Sequence, residues 1–466
     1  MLMVVRPVFS LFAGVSLLLL GSGLLNTLLA VRGSGMGFSD PVMGLIMSGY
    51  FVGFLLGTYS ALPVIRRVGH IRAFAMWAAL GSVSVMLHEV FDSPWVWGAL
   101  RVLTGMALVT LYTVIESWLN AQTPGQYRGQ VFAIYMIVNL VALSVAQQFL
   151  QLAPATSYLL FGVAAMLVTL SLVPVTWTRF GPPPVQAVER LKLSRLWHVA
   201  PVAVLAALCS GLAMGAFWGM SAVYASRIEL DSAGVASFMT FGILGGACLQ
   251  YPIGRLSDRL DRRKVLMVVA ACAVVSALLL IPASMLVVGT DGSGDVRWIY
   301  AAIALYGGLA FTVYPLAVAH LIDHLSSDDV LAGGSAILLV HGLGASVGPA
   351  LSGQLMALGG PSAWPVYLAV VQLVLAGVCL MLLRQRQVLP EPVEESAHFV
   401  PMVRTTPTAL EMHPDEPVPE PDDAPSDEAA SDEAASDEVL ADDAPSDEVI
   451  KDETPVKTCV AENPGR

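Results

Sequence analysis

Twelve stretches of this chain are long and apolar enough to cross a lipid bilayer, at roughly 8–30, 39–64, 72–90, 94–119, 130–152, 155–177, 198–226, 232–256, 264–288, 296–319, 332–357 and 363–384. That feature constrains the fold more than any other. The hydrocarbon core, about 30 Å thick, takes about 20 helical residues to span. Inside it no water satisfies backbone N–H and C=O groups, so each apolar run must close its own hydrogen bonds as a helix. The chain is 56% hydrophobic and 13% charged, against about 25% charged residues in soluble domains. These properties define an all-α membrane protein. The first run, after Arg6, is longer than the ~7–15 residues of a signal-peptide core, and we read it as an uncleaved span.

The segment RFGPPPVQAVERLKLSRLW, 179–197, interrupts the runs after the sixth. It divides the chain into a first six-helix bundle (1–178), a linker (179–197) and a second six-helix bundle (198–388). The remainder, 389–466, is different in kind. It holds 22 Asp and Glu against 4 Lys and Arg, a balance of −18 in a chain of net charge −12, so the rest carries +6. A Pro-rich acidic repeat such as APSDEAASDEAASDE buries too little apolar area to offset its chain entropy, and we expect a disordered tail.

Lys and Arg in the short loops set the orientation. With twelve spans, the side of the termini and linker holds sixteen such residues and the other side three, Arg32, Arg227 and Arg297. Both termini and the linker are therefore expected in the cytoplasm, and the protein in the inner membrane. The halves also repeat. MSGYFVGFLLGTYSALPVIRRVGHIR in span 2 answers FMTFGILGGACLQYPIGRLSDRLDRRK in span 8, and WGALRVLTGMALVTLYTVIESWLN in span 4 answers WIYAAIALYGGLAFTVYPLAVAHLID in span 10. Similar spans six apart predict parallel, pseudo-symmetric repeats.

GRLSDRLDRRK, 254–264, is the most specific motif. Gly254 allows close helix approach. Asp258, at a helix end, can face an arginine or the positive end of a neighbouring helix dipole. Arg259, Arg262, Arg263 and Lys264 fix the loop inside and can pair with carboxylates. The segment resembles motif A of the major facilitator superfamily, and ALRVLTGMA resembles its motif B. In HGLGASVGPALSG, Gly344, Gly348, Pro349 and Gly353 share one helix, where small residues let helices meet closely. The matching first-half loop, PVIRRVGHIR, lacks the glycine and the aspartate. Through YTVIESWLN, RGQVFAIYMIV, YPIGRLSD and FTVYPLAVA the chain, tail excepted, resembles the YcaD-type branch. The resemblance implies two six-helix bundles and a rocking carrier whose motif A residues form a conformational gate.

Candidate site residues are the polar groups inside spans, since a charge there costs about 2.5–3.5 kcal/mol on insertion scales. Arg101 and Glu116, both in span 4, lie about 22 Å apart along the axis and about 60° apart around it. They cannot pair with each other. Tyr112 falls between them on the face expected to line a cavity. Glu116 can cycle between protonated and ionised forms as its surroundings alternate between dry and wet, whereas the Arg101 guanidinium is a fixed charge. Glu116 can equally join a network of cytoplasmic charges. Asn26, Asn139 and His341 are further cavity candidates, and His341 carries a titratable imidazole. Trp218, Tyr224, Tyr306 and Tyr314 can line a cavity or anchor span ends.

These residues point to a secondary active transporter of a small organic solute, working by alternating access with protons as the coupling ion. A monomer in the bilayer is expected, with the solute and protons as partners and no nucleic acid. No lysine follows a glycine, so there is no P-loop. Neither a cofactor nor a metal site is expected; His320, Asp323, His324, Asp328 and Asp329 read as a solvated loop. No nucleophile, base and orienting group assemble into an enzyme site. The competing reading is a membrane sensor or scaffold that recruits a partner through the acidic tail.

Overall fold

The computed structural model describes residues 2–177, 183, 191–288, 294–326, 329–384, 399–402 and 406. Its helices run α1 (Leu2–Gly35), α2 (Asp40–Val68), α3 (His70–Val90), α4 (Pro94–Gln122), α5 (Arg128–Gln148), α6 (Tyr158–Leu170), α7 (Leu172–Thr176), α8 (Leu193–Val199), α9 (Pro201–Arg227), α10 (Ser232–Ser257), α11 (Arg262–Val288), α12 (Arg297–Ile322), α13 (Val330–Gly359) and α14 (Ala363–Arg384). Twelve helical stretches have the length and hydropathy of a membrane span, and they fall one for one on the runs read from the sequence. α6 and α7 together make the sixth span. α8 is a short helix at the end of the linker.

Local chemistry sets the helix ends. Prolines stand in the first turns of α2, α4 and α9, where their missing N–H is not needed. Asp231 caps α10 by accepting the Gly234 N–H at 2.7 Å. Gly69, at φ +85°, reverses the chain between α2 and α3 within one residue, a conformation that favours glycine.

The packing repeats. In the first half α2 packs on α4, α1 on α5 and α6, and α3 on α6; in the second α10 packs on α12, α9 on α13 and α14, and α11 on α14. Advancing each span by six carries the first set onto the second. The contacts between halves, α2 on α13 and α10 on α5, exchange under the same operation. The fold is thus two six-helix bundles about a pseudo-twofold axis. Successive spans alternate in direction. One face therefore carries the ends of α2, α4 and α10 together with α8 (the linker face), and the other carries the starts of α2 and α10 and the end of α9 (the far face).

The far face is sealed. Arg227, at the end of α9, pairs with Asp40, at the start of α2, at 2.8 Å, and donates to the Phe38 carbonyl at 2.9 Å. Small residues bring the bundles together beneath this pair. A Cβ on Gly44 would strike the Pro349 carbonyl, and one on Gly353 would strike that of Asp40. The Ala350 N–H donates to Ser48 Oγ at 3.2 Å. Gly344 and Gly348 face the other way, onto the α9 backbone at Leu208 and Leu212. The small-residue stripe of α13 therefore packs on its own bundle and on the opposite one.

The expected tail boundary needs a correction. Of 389–466, the structure describes 399–402 and 406, and these pack against the bundles: Val400, Met402 and Thr406 are buried. The short apolar stretch around HFVPM departs from the acidic composition of the residues C-terminal to it, and it can exchange water for apolar surface. The rest of the tail lies outside the described residues.

Candidate functional site

A cavity lies between the bundles below the far-face seal. One lobe, partly open, is lined by Tyr50, Phe51, Phe54, Leu55 and Thr58 of α2 and by Ser335, Leu338, His341 and Ala345 of α13. A second continues past Ser210, Met214 and Trp218 of α9 and Phe311 of α12. Phe51, Tyr314, His341 and Ala345 border both lobes. An aromatic wall forms one side: Phe311 packs against Phe217 and Trp218, and Tyr314 lies 4.5 Å from the His341 ring. Polar atoms are few. Ser210 Oγ, Tyr314 Oη, Ser335 Oγ and His341 Nδ1 are buried with no hydrogen-bond partner among the described residues. Such groups are costly in a dry interior, so a polar guest gains from meeting them.

The predicted cavity residues divide into three places. His341 lines the cavity, as do Trp218 and Tyr314; Tyr224 and Tyr306 are core residues instead, Tyr224 stacking on Trp364 at 4.7 Å. Arg101 and Asn26 meet elsewhere. Arg101 Nη2 donates to Asn26 Oδ1 at 2.7 Å, and its guanidinium lies 4.7 Å over the Tyr50 ring. Asn26 Nδ2 in turn donates to the Trp218 carbonyl, across the bundle interface, at 2.6 Å. Arg101 is 2% exposed and borders, with Asn26 and Tyr50, a small cavity inside the first bundle; only the Asn26–Trp218 bond crosses to the other bundle.

Glu116 forms the third place, with Tyr135, Asn139 and Tyr112. Tyr135 Oη donates to Glu116 Oε1 at 2.8 Å, and Asn139 Nδ2 donates to the Tyr135 carbonyl at 2.7 Å. Tyr112 is fully buried beside them, in the packed core and not on the wall of either lobe. Toward its start α4 borders a small cavity inside the first bundle, through Arg101, Thr104 and Leu108, while Gly105 abuts the Tyr50 carbonyl of α2. Glu116 is 0% exposed and is the one Asp or Glu among the described residues buried to this degree. Its Oε2 accepts the Thr406 N–H at 3.0 Å and the Thr406 hydroxyl. Tyr135 was not among the residues singled out from the sequence. The available signal was its position four residues before Asn139, on the same helical face.

The motif at 254–264 forms a network at the linker face. Arg262 is its centre. Nε donates to Asp323 Oδ2 at 2.7 Å, and Nη1 donates to Ser257 Oγ and Asp258 Oδ1, each at 3.2 Å. It joins the α10–α11 turn to the end of α12 within the second bundle. Asp258 also accepts the Phe399 N–H at 3.1 Å. The expected role of Gly254 changes: the atoms that crowd it are those of the Phe399 ring, not of a neighbouring helix. Arg263 pairs locally with Asp261 at 3.1 Å, while Arg259 and Lys264 are exposed. Burial pushes the Asp261 carboxyl up, but hydrogen bonds from Arg263 and the charges of Arg263 and Lys264 outweigh it and hold the group below its usual range. That contribution to stability is present above the ordinary carboxylate pKa and is lost as pH falls.

Among the described residues no group of three or more His, Cys, Asp or Glu is placed to hold a metal. Of the loop read as solvated, Asp329 pairs with Arg195 of α8 at 2.6 Å; Asp328 lies outside the described residues.

The sequence profile described as Major Facilitator Superfamily matches residues 11–327 and 203–413. The chain belongs to that superfamily. It is a multi-pass membrane transporter of two six-helix bundles. Among its superfamily relatives, an uncharacterized MFS-type transporter of Enterobacter sp. (strain 638) is 27% identical over 394 residues, 83% of this chain and 98% of the relative. The uncharacterized MFS-type transporter YcaD of Salmonella heidelberg (strain SL476) is 25% identical over 397 residues, again 83% and 98%. The crystal structure of the nucleoside transporter NupG superposes with a TM-score of 0.66 at 14% identity, covering 81% of this chain and 99% of that one. At that identity the likeness speaks for the superfamily fold alone.

Proposed function

We propose that the protein is a secondary active transporter that carries a small organic solute across the inner membrane by alternating access, coupled to protons. The observation that carries this reading is a closed far face above a cavity between the bundles. The bundles are sealed at the far face by Arg227–Asp40 and the Gly44–Pro349 and Gly353–Asp40 contacts, while a cavity with orphaned polar atoms lies between them. That is one end state of a rocking carrier. The excess of arginine in the linker-face loops supports a cytoplasmic linker face and cytoplasmic termini, and with them an inward-facing conformation. The lining residues of both lobes include no Asp, Glu, Lys or Arg, which suits a solute with an apolar body and a few hydrogen-bonding groups. One chain supplies both bundles, so a monomer suffices.

Glu116 is the proton site in this reading. It is the buried carboxylate of the first bundle, and its partners Tyr135 and Thr406 come from separate segments whose separation would rehydrate it. A thermal-shift screen on purified protein identifies a stabilising solute. In liposomes that solute should accumulate against its gradient when a pH difference is imposed. Glu116→Gln should keep solute exchange and lose accumulation. Accumulation by Glu116→Gln at the wild-type level would remove Glu116 from the coupling step.

A further inference from the structure

The residues of the tail that the structure describes touch three places that matter for transport. At the first, the Phe399 ring covers Gly254 and its N–H bonds Asp258, at the latch of the second bundle. At the second, Met402 is buried and borders the cavity lobe with Phe51, Trp218, Phe311, Tyr314 and His341. At the third, Thr406 is 0% exposed and donates two hydrogen bonds to Glu116 in the first bundle. Thr406 lies seven positions after Phe399, and an extended chain of seven steps reaches about 23 Å, enough to cross between bundles. From Arg384, the end of α14, fifteen residues lead to Phe399, a tether of up to about 50 Å.

We infer that residues 399–402 and 406 are a tethered occupant of the transport cavity, which competes with the solute for the space at Met402 and with the proton for Glu116. The chemistry fits. The cavity offers aromatic surface, and Met402 is a flexible apolar side chain suited to it. Glu116 offers carboxylate oxygens, and Thr406 supplies two donors. Because Phe399 bonds Asp258 on one bundle and Thr406 bonds Glu116 on the other, these contacts tie the two bundles at the side that must close when the linker face seals. An occupied chain is therefore held with its far face shut. The inference rests on the cavity being the transport path, but its test requires no transport.

The test uses the full-length chain and a fluorescent synthetic peptide of residues 395–410. The substitutions Phe399→Ala, Met402→Lys and Thr406→Ala are made together in the tail, outside both bundles, so the folding of the helices is not at risk. A lysine at 402 is costly in an apolar cavity, and the altered tail should leave. The altered protein should then bind the peptide at least tenfold more tightly than wild type, whose own tail competes. A peptide carrying the same three substitutions should not bind. Equal affinity of the two proteins, or binding of the substituted peptide as strong as that of the native one, would overturn the inference. Binding without solute flux would leave it standing while removing the transport reading, and flux without differential binding would do the reverse.

Discussion

Arg101 illustrates how a charge is accommodated in a span. Its guanidinium donates to Asn26 Oδ1 and lies over the Tyr50 ring, from α1 and α2. A planar guanidinium can donate in its plane to Asn26 while its face lies on the Tyr50 ring, whereas a compact, strongly hydrated ammonium cannot meet both partners in that geometry. Arg101→Ala should orphan a buried amide oxygen, at a cost of about 1–3 kcal/mol, and loosen the Asn26–Trp218 link between bundles. We expect a lower melting midpoint in detergent and loss of flux. Arg101→Lys should recover less than half of the flux, and full recovery would show that charge alone matters there.

At the scale of elements, the motif at the linker face divides into a buried and an exposed part. The Arg262 side chain is 5% exposed and holds Asp258, Ser257 and Asp323; Arg263 and Asp261 are 24% and 30% exposed. Breaking a buried pair costs about 3–5 kcal/mol, an exposed one under about 1 kcal/mol. Arg262→Ala should therefore lower the unfolding midpoint clearly, and Arg263→Ala hardly at all, in a thermal-melt comparison. A second element-scale test concerns the α2–α13 crossing. Gly44→Val places carbon where the Pro349 carbonyl stands, so the far face should close less completely. A cysteine at Met47, buried in this conformation, should react several-fold faster with a water-soluble maleimide in the Gly44→Val background, and an unchanged rate would mean that α13 yields instead.

For the whole molecule, the far-face seal and the tail contacts favour the same state from opposite sides of the membrane. Releasing the tail should shift the population toward exchange. With a solute from the thermal-shift screen, Met402→Lys in the intact chain should raise initial flux in liposomes several-fold over wild type. The Arg227–Asp40 pair, partly exposed, should contribute under about 1 kcal/mol. Arg227→Ala should thus change the inward-to-outward ratio by no more than about fivefold, read by accessibility of cysteines on the far face.

Hydropathy is a local quantity, and so is the requirement that each span close its own backbone hydrogen bonds. The twelve helices and the correspondence of spans six apart are legible in the sequence for that reason. So was the basic motif at 254–264, whose residues are neighbours in the chain. Partners are not local. Asn26 reaches Arg101 across 75 positions, and Thr406 reaches Glu116 across 290. The periodicity of span 4 placed Arg101 and Tyr112 on one face; Arg101 borders a small cavity of the first bundle while Tyr112 is packed in the core, a difference set by the neighbouring helices. Composition assigned everything after 388 to a solvated tail, because an average over 78 residues hides a short apolar stretch. Whether such a stretch stays in water depends on an apolar surface being available to it. Only the assembled bundles create that surface, so the tertiary structure alone determined where Phe399, Met402 and Thr406 lie.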